Sequence, residues 1–355
     1  MRQAVLHIGM HKTGSTAIQQ AFNGRSSSEA RYARLSHANH SIPLATVFKQ
    51  GPYHHWNKFD LSDAEISSRR HDFLADLESE FNSDVHQHLI FSGEDLGLLK
   101  DQEKAELISV FRSHGVDVRV ICFVRDPVAF VSSALQQRIK HGLKDVGEIS
   151  PWYRQRLTYF AQILDPEKLV VMDYGRLCAE HGDIVCAFQN VIGFRFENLA
   201  SVRPNKSSSL DATRLILCLN RLCDPARLSV QGKRARSRLV VGLHRIFPEI
   251  CDKPKQDWEP VSGLLSADIE QEVAFLKFRF GISYEVPSRL RSLEAVEIFL
   301  SEIGHIDTSR LREGLEDELR LKLADGSCRQ ILASALEKII EREIQADSVS
   351  TYTGT

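Results

Sequence analysis

Apolar positions in the first half of the chain form short runs of strand length separated by helical repeats. The runs cover residues 4–8, 88–92, 116–124 and 168–172. Between most of them lie segments whose apolar residues recur every three or four positions, which is typical of amphipathic helices. Strands that alternate with helices indicate βαβ units. We therefore predict an α/β fold with a central parallel sheet flanked by helices.

The pattern becomes almost wholly helical from about residue 176 onward. We predict an α/β core over residues 1–205 and a mostly helical C-terminal region over residues 206–355, packed on the core. Residues 24–62 have weak periodicity and many turn-forming residues, so they are predicted to form a long irregular insertion. Long loops in compact domains often carry function.

The first predicted strand leads into a loop with glycines at positions 9 and 14. Glycines let the backbone turn tightly and bring its N–H groups close to an anion. The helix that follows Gly14 adds unpaired N–H groups and the positive end of its dipole. The loop that binds nucleoside triphosphates carries a lysine directly after the second glycine. Here Ser15 takes that position and Lys12 lies inside the loop, so we predict an oxyanion site without the usual reach to a γ-phosphate.

This loop resembles the 5′-phosphosulfate loop of the sulfotransferases that use 3′-phosphoadenosine 5′-phosphosulfate (PAPS). The residues that carry the resemblance are His11, Lys12, Thr13, Gly14, Ser15 and Thr16. A second stretch resembles the 3′-phosphate motif of that family, in which an arginine ends a strand and a serine follows eight positions later on a helix. Arg125 and Ser133 occupy those two positions.

The resemblance covers about residues 4–205 and implies a P-loop-like fold with PAPS as the sulfuryl donor. The acceptor it implies is a hydroxyl or amine of a saccharide or another polyol-bearing molecule. Arg125 and Ser133 are then expected to hold the 3′-phosphate, and Arg203 and Lys206 to contact the same phosphate or the adenosine.

Two kinds of catalytic residue are needed for such a transfer. Lys12 is the candidate for stabilising the negative charge that builds on the oxygen between sulfur and the leaving phosphate. The general base is either Glu94, which follows the second strand as in carbohydrate sulfotransferases, or His11, which titrates in a useful range. The sequence leaves this choice open.

Further polar residues are candidates for lining the acceptor pocket. They are Asn39, His40, Ser41, His54, His55, Gln136, Gln137 and Lys140. The histidine pairs 54/55 and 86/88 lack a coherent set of additional ligands, so no metal site is predicted.

Composition narrows the class of partner and the location. Forty-five basic and forty-seven acidic residues give a net charge near zero, which argues against a general nucleic-acid binder.

Seven cysteines without a Cys-x-x-Cys pair are typical of thiols in a reducing compartment. Strand residues begin at about position 4, and no apolar stretch approaches eighteen residues. We expect a cytoplasmic protein without a membrane span, with a small-molecule or glycan acceptor; the oligomeric state stays open.

Two alternative functions fit the same sheet. A P-loop kinase or other nucleotide-dependent phosphotransferase needs a lysine directly after Gly14 and an acidic metal ligand at a strand end. The lysine is missing, and Asp126 is a weak candidate for the ligand. The other alternative is a non-catalytic nucleotide-binding protein, against which Lys12 and Glu94 argue mildly.

Overall fold

Contacts divide the chain into two units, each assembled from segments that are separate in sequence. The computed structural model describes residues 2–51, 53–59, 61–83, 86–199, 208–248, 255–287 and 291–352. The first unit comprises residues 1–127, 151–204 and 268–286. The second comprises residues 128–150, 205–267 and 287–355.

A five-stranded parallel sheet forms the centre of the first unit. Its strands are β1 (Arg2–His7), β2 (Ala30–Tyr32), β3 (His88–Ser92), β4 (Val116–Val124) and β5 (Leu169–Asp173), in the order β2-β3-β1-β4-β5. All four strand pairs are parallel. The predicted α/β fold with a central parallel sheet is confirmed. Since β1 has β3 on one side and β4 on the other, the crevice beyond the carboxyl end of β1 is where an open sheet binds ligands.

Helices flank the sheet and make up most of the second unit. In chain order they are α1 (Ser15–Phe22), α2 (Ser41–Phe48), α3 (Asp63–Asn82), α4 (Asp101–Ser113), α5 (Pro127–Lys140), α6 (Tyr153–Ile163), α7 (Tyr174–His181), α8 (Ile184–Ile192), α9 (Leu210–Leu222), α10 (Val230–Ile246), α11 (Ile269–Phe280), α12 (Leu293–Ser301), α13 (Thr308–Leu319) and α14 (Cys328–Tyr352). Short 3-10 helices cover His54–Lys58, Glu94–Leu98, Pro166–Lys168 and Lys255–Leu264.

The prediction of an irregular insertion over residues 24–62 was wrong. This segment contains β2, α2 and the 3-10 helix His54–Lys58. A three-residue strand is too short to show alternation, and all three residues of β2 are buried. Helix α2 is apolar on nearly every side, with six of its eight residues buried, so it lacks the one-sided stripe that identifies a helix from sequence.

The two faces of the sheet are covered by different sets of helices. Successive strand residues point to opposite faces. Ile90 packs in a core cluster with Phe22 of α1 and Phe188 of α8. Its neighbour Phe91 lies 5.1 Å, between ring centroids, from Phe111 of α4. The sheet is therefore buried on both sides, which leaves its strand ends as the exposed edge that can carry a site.

Helix α11 brings a late segment of the chain back to the first unit. Arg154 Nε of α6 donates to Glu272 Oε1 of α11 at 2.7 Å, and Arg154 N donates to Glu272 Oε2 at 2.9 Å. Arg154 Nη2 reaches Asp268 Oδ2 at 2.6 Å. Beyond α11, the Tyr284 hydroxyl donates to Asp173 Oδ2 at the end of β5. The unit around the sheet is thus completed by residues 268–286.

The second unit is a bundle in which a buried polar pair ties helix ends together. Asn220 Nδ2 of α9 donates to the carbonyl oxygens of Ile139 and Leu143 at 2.7 and 2.8 Å. Arg236 Nε of α10 donates to Asn220 Oδ1 at 2.9 Å. Because both side chains are buried, these bonds satisfy polar groups that would otherwise be costly to bury. Within the described part of the chain, no helix is both long enough and apolar enough to cross a membrane.

Candidate functional site

The loop after β1 turns sharply into α1 through a left-handed glycine. Gly14, at φ 75°, forms the N-cap of α1, and no side chain caps that helix. A Cβ on Gly14 would lie 2.7 Å from Ile184 Cγ2 of α8, so glycine is required for space as well as for conformation. Thr13 is buried, and its hydroxyl donates to the Met10 carbonyl oxygen at 2.6 Å, closing the loop on itself. In the first turn of α1 the Ala17 N–H is bonded to the Gly14 carbonyl oxygen, so only the N–H groups before Ala17 are candidates for binding an anion.

Lys12 lies at the left-handed position of this loop. Its φ of 69° is unusual for a residue with a side chain and costs about 1 kcal/mol or more. Arg125 Nη1, from the end of β4, donates to the Lys12 carbonyl oxygen at 2.8 Å. The strained backbone is thus held by an arginine from the neighbouring strand, so Lys12 and Arg125 lie at one strand-end edge.

Two tyrosines contact Arg125, one at its guanidinium and one at its main chain. The guanidinium lies over the ring of Tyr174, 5.5 Å from the centroid, and the Tyr153 hydroxyl donates to the Arg125 main-chain oxygen. Burial lowers the pKa of Arg125, and nearby Tyr174 and Asp126 act in the opposite direction. An arginine remains protonated in such a site, and its planar fork of donors suits a phosphate or sulfate.

His11 has both ring nitrogens engaged. Arg156 Nη2 lies 3.1 Å from His11 Nδ1, and His11 Nε2 lies 3.0 Å from Asp95 Oδ1. Arginine can only donate and a carboxylate can only accept, so Nδ1 accepts and Nε2 carries the hydrogen. Burial would raise the pKa of Asp95, but hydrogen bonds from His11 and Tyr53 with nearby histidine charge lower it to about 2. This arrangement fixes the orientation of the His11 ring and leaves both of its nitrogens occupied.

Glu94 opens the 3-10 helix that follows β3, beside α1. Gln19 Nε2 donates to Glu94 Oε2 at 2.9 Å, which orients the half-buried carboxylate. Arg156 Nη1 donates to the Glu94 main-chain oxygen at 2.9 Å. The same guanidinium contacts His11. Arg156 therefore connects the turn that carries Glu94 to the loop between Gly9 and Gly14.

Two buried histidines, His7 and His40, contact Ser92 at the end of β3. His7 Nδ1 is 2.8 Å from Ser92 Oγ, and the Ser92 N–H donates to His40 Nδ1 at 3.1 Å. Burial lowers the pKa of each histidine to about 3. A Cβ on Gly9 would lie 2.5 Å from His7 Nε2, so this layer packs directly against the loop.

The low pKa values of these two histidines predict that the free energy of unfolding falls in mild acid. Their pKa is about 3 when folded and about 6.5 when unfolded. Because the unfolded chain takes up the protons first, stability is full above about pH 6.5 and falls as the pH drops toward 3. Each histidine should remove about 2 kcal/mol by about pH 5.

Urea unfolding near pH 7.5 and pH 5 measures this loss. The variant His40→Gln, whose side-chain oxygen can still accept from Ser92, is expected to lose about 2 kcal/mol less than the wild type between the two conditions. His71→Gln, at an exposed position on α3, is the matched control and should follow the wild type. An unchanged pH dependence in His40→Gln would contradict the prediction.

The structure brings some of the predicted residues together and leaves others elsewhere. Lys12, Arg125, Glu94 and His11 share the strand-end edge of the first unit. In the loop, Ser15 is buried and Thr16 is exposed. Ser133 is half-buried on α5 in the second unit, and its role as partner of Arg125 stays a prediction. Arg203 and Lys206 lie outside the described residues.

The candidates for the acceptor pocket divide in a similar way. His40 and Ser41 are buried, and Ser41 Oγ accepts from the Asp95 N–H at 3.1 Å, so both support the site from inside. His54 is exposed, with its Nε2 3.9 Å from Asp95 Oδ2. The remaining candidates Asn39, His55, Gln136, Gln137 and Lys140 are half-buried or exposed, and the last three lie in the second unit.

Sequence reasoning missed Arg156, Asp95 and Tyr53. Arg156 is 1% exposed, and its Nε has no hydrogen-bond partner among the described residues. A signal was present, since Arg156 lies between Tyr153 and Phe160 on the apolar stripe of α6, where a charge is unexpected. The Tyr53 hydroxyl donates to Asp95 Oδ2, a contact across 42 residues that no local pattern reports.

Comparison with protein-family models finds no match, and comparison with curated protein sequences finds no significant match either. The described residues hold no group of three or more His, Cys, Asp or Glu side chains placed to bind a metal ion.

Proposed function

We propose that this protein is a PAPS-dependent sulfotransferase with a P-loop-like fold. The observation that carries the proposal is the bond from Arg125 Nη1 to the Lys12 carbonyl oxygen. It joins the glycine-bounded loop after the central strand to an arginine that ends the next strand. Two cationic residues at neighbouring strand ends suit a donor that carries anionic groups on the 5′ and 3′ positions of an adenosine.

The donor set of this edge fits PAPS by its chemistry. Backbone N–H groups of an uncapped helix start and the Lys12 ammonium suit the 5′-phosphosulfate. The Arg125 guanidinium suits the 3′-phosphate. In loops that bind nucleoside triphosphates, a lysine directly after the second glycine reaches the γ-phosphate. Here that position is Ser15, which is buried, so the loop lacks this contact.

The reaction that follows from this assignment moves a sulfuryl group to an acceptor oxygen. The bond between sulfur and the bridging phosphate oxygen breaks, and a bond from the acceptor oxygen to sulfur forms. Lys12 stabilises the charge that develops on the leaving oxygen. The hydroxyl proton passes to the Glu94 carboxylate.

Glu94 is a better general base than His11 in this geometry. His11 Nδ1 already accepts from Arg156 and His11 Nε2 already donates to Asp95, so neither nitrogen offers a lone pair to the acceptor. Glu94 Oε2 accepts one bond from Gln19, and a carboxylate can accept several. We assign His11 to positioning the loop and Glu94 to taking the proton.

The acceptor in this proposal is a saccharide or another polyol-bearing molecule. His54 lies at the exposed end of the Asp95 contacts, where a polar side chain is available to hydroxyl groups. The proposal includes a cytoplasmic location, which the six free cysteine thiols among the described residues support.

Nucleotide titration tests the proposal directly. We expect 3′-phosphoadenosine 5′-phosphate to bind at least about tenfold more tightly than ADP or ATP, because Arg125 contributes a charge-assisted contact to the 3′-phosphate. In Arg125→Gln this preference should disappear. Because Arg125 also holds the Lys12 backbone, ADP binding should weaken too, but less than binding of the 3′-phosphorylated nucleotide. Isothermal titration calorimetry measures all three affinities.

Two controls keep the result interpretable. Arg176→Gln removes an exposed arginine of α7 and should keep the preference. Arg125→Lys retains the charge and should keep part of it. Tighter binding of ATP than of the 3′-phosphorylated nucleotide would contradict the proposal and favour a phosphotransferase.

A further inference from the structure

The second unit contains a groove lined by arginine side chains. It lies along α10, the end of α13 and α14, and has a volume of about 420 Å³, within the range of small-molecule sites. Its charged lining consists of Arg238, Arg245, Arg320, Arg342 and Glu318, or four positive charges and one negative. Glu343 pairs with Arg238 just outside this lining and offsets one more of the four charges, so the groove keeps an excess of positive charge.

The floor of the groove is apolar. Val241 is 49% exposed, and Ile339 also belongs to the lining. Gly242 also lines the groove, and a Cβ there would face α13, 3.7 Å from Leu315 Cδ2. A ligand that fits this surface combines acidic groups at its ends with an apolar or ring-shaped body.

Three of the arginines are held in place by contacts that leave donors for a ligand. Arg342 Nη1 and Nη2 donate to the carbonyl oxygens of Leu319 and Arg320, each at 2.8 Å. Arg245 Nη1 lies 2.8 Å from Glu318 Oε2, and Arg238 Nη2 lies 2.9 Å from Glu343 Oε1. A guanidinium has five N–H donors, so each contact uses only part of them.

Arg320 provides an independent indication that the groove has a function. It ends α13 at φ 51° and ψ 52°, the left-handed position that glycine or asparagine usually occupies. Its side chain is exposed and lines the groove. Strained positions occupied by residues other than glycine occur preferentially at functional sites. The chain therefore keeps an arginine where the backbone alone favours glycine.

We propose that this groove binds a small organic anion with two acidic groups separated by an apolar or sugar body. Arginine forks bind carboxylate, sulfate and phosphate groups through paired hydrogen bonds. The arginines supply such forks above a floor that suits the body of the ligand. This site belongs to the second unit and does not depend on the function proposed for the first.

Calorimetric titration of the full chain tests the site with three probes. These are a disaccharide with two sulfate groups, the same disaccharide without sulfate, and the six-carbon dicarboxylate adipate. We expect at least one dianion to bind and the uncharged disaccharide to bind at least tenfold more weakly. Comparison of the two dianions identifies whether a sugar or an aliphatic body is preferred. Absence of binding by both dianions at millimolar concentration would overturn the proposal.

The variant Arg320→Gly locates the binding. Because glycine suits the backbone at this position, we expect an unchanged or higher Tm together with at least a tenfold loss of affinity for the dianion. Arg227→Gln, which alters a highly exposed arginine of the same unit, is the matched control and should bind normally. Wild-type affinity in both Arg320→Gly and Arg238→Gln would show that the groove is not the site.

Discussion

Replacement of Glu94 by glutamine is expected to lower kcat for sulfuryl transfer by about a thousandfold. The amide cannot take the proton of the acceptor hydroxyl, but its oxygen can still accept the hydrogen bond from Gln19 Nε2, which spans 2.9 Å to Glu94 Oε2. Stability and nucleotide affinity should therefore change little. Glu106→Gln, at an exposed position on α4, is the matched control and should keep the wild-type rate.

The pH profile separates Glu94 from His11 as the base. In the wild type, kcat/KM should fall at low pH as the base becomes protonated. We expect Glu94→Gln to lose this limb and His11→Gln to keep it at a reduced rate, since His11 is engaged with Arg156 and Asp95. The opposite pattern would assign the base to His11 and contradict our assignment.

Replacement of Lys12 by glycine is expected to lower kcat by about 10²–10³-fold, the usual cost of losing one group that stabilises developing negative charge. Glycine accepts the φ of 69° at this position without strain, so the loop should keep its shape and the protein its stability. Single-turnover kinetics with saturating donor measures the loss. Binding of 3′-phosphoadenosine 5′-phosphate should weaken much less than the rate.

Two further substitutions at this position test the reason for the loss. Lys12→Asn is neutral and also tolerates left-handed backbone, so it should behave like the glycine variant. Lys12→Arg keeps a positive charge and should retain more activity than either. A fully active Lys12→Gly would contradict a catalytic role for the ammonium and favour a non-catalytic nucleotide-binding protein.

The sheet was predictable because four of its five strands contain runs of buried apolar residues. Residues 116–124 match β4, and the predicted runs at 88–92 and 168–172 match β3 and β5 to within one residue. A parallel strand buried on both faces reads as such a run. β2 was missed because pairing with β3 defines it, and its three residues show no pattern of their own.

The candidate site was predictable only where it follows directly from strand ends. Lys12, Glu94 and Arg125 each come just after a predicted strand, so their shared edge follows from parallel topology. The engagement of His11 by Arg156 could not be predicted, because these residues are 145 positions apart. Long-range contacts of this kind depend on how α6 packs, which local periodicity does not specify.

The return of α11 to the first unit sets a limit on how the protein can be shortened. A chain ending at residue 205 would contain the sheet and the loop but would lack Glu272, whose side chain is 3% exposed and bonds to Arg154. It would also lack Tyr284, the hydroxyl donor to Asp173. Recombinant work on the first unit alone therefore has to retain residues 268–286, for example joined to residue 204 by an engineered linker.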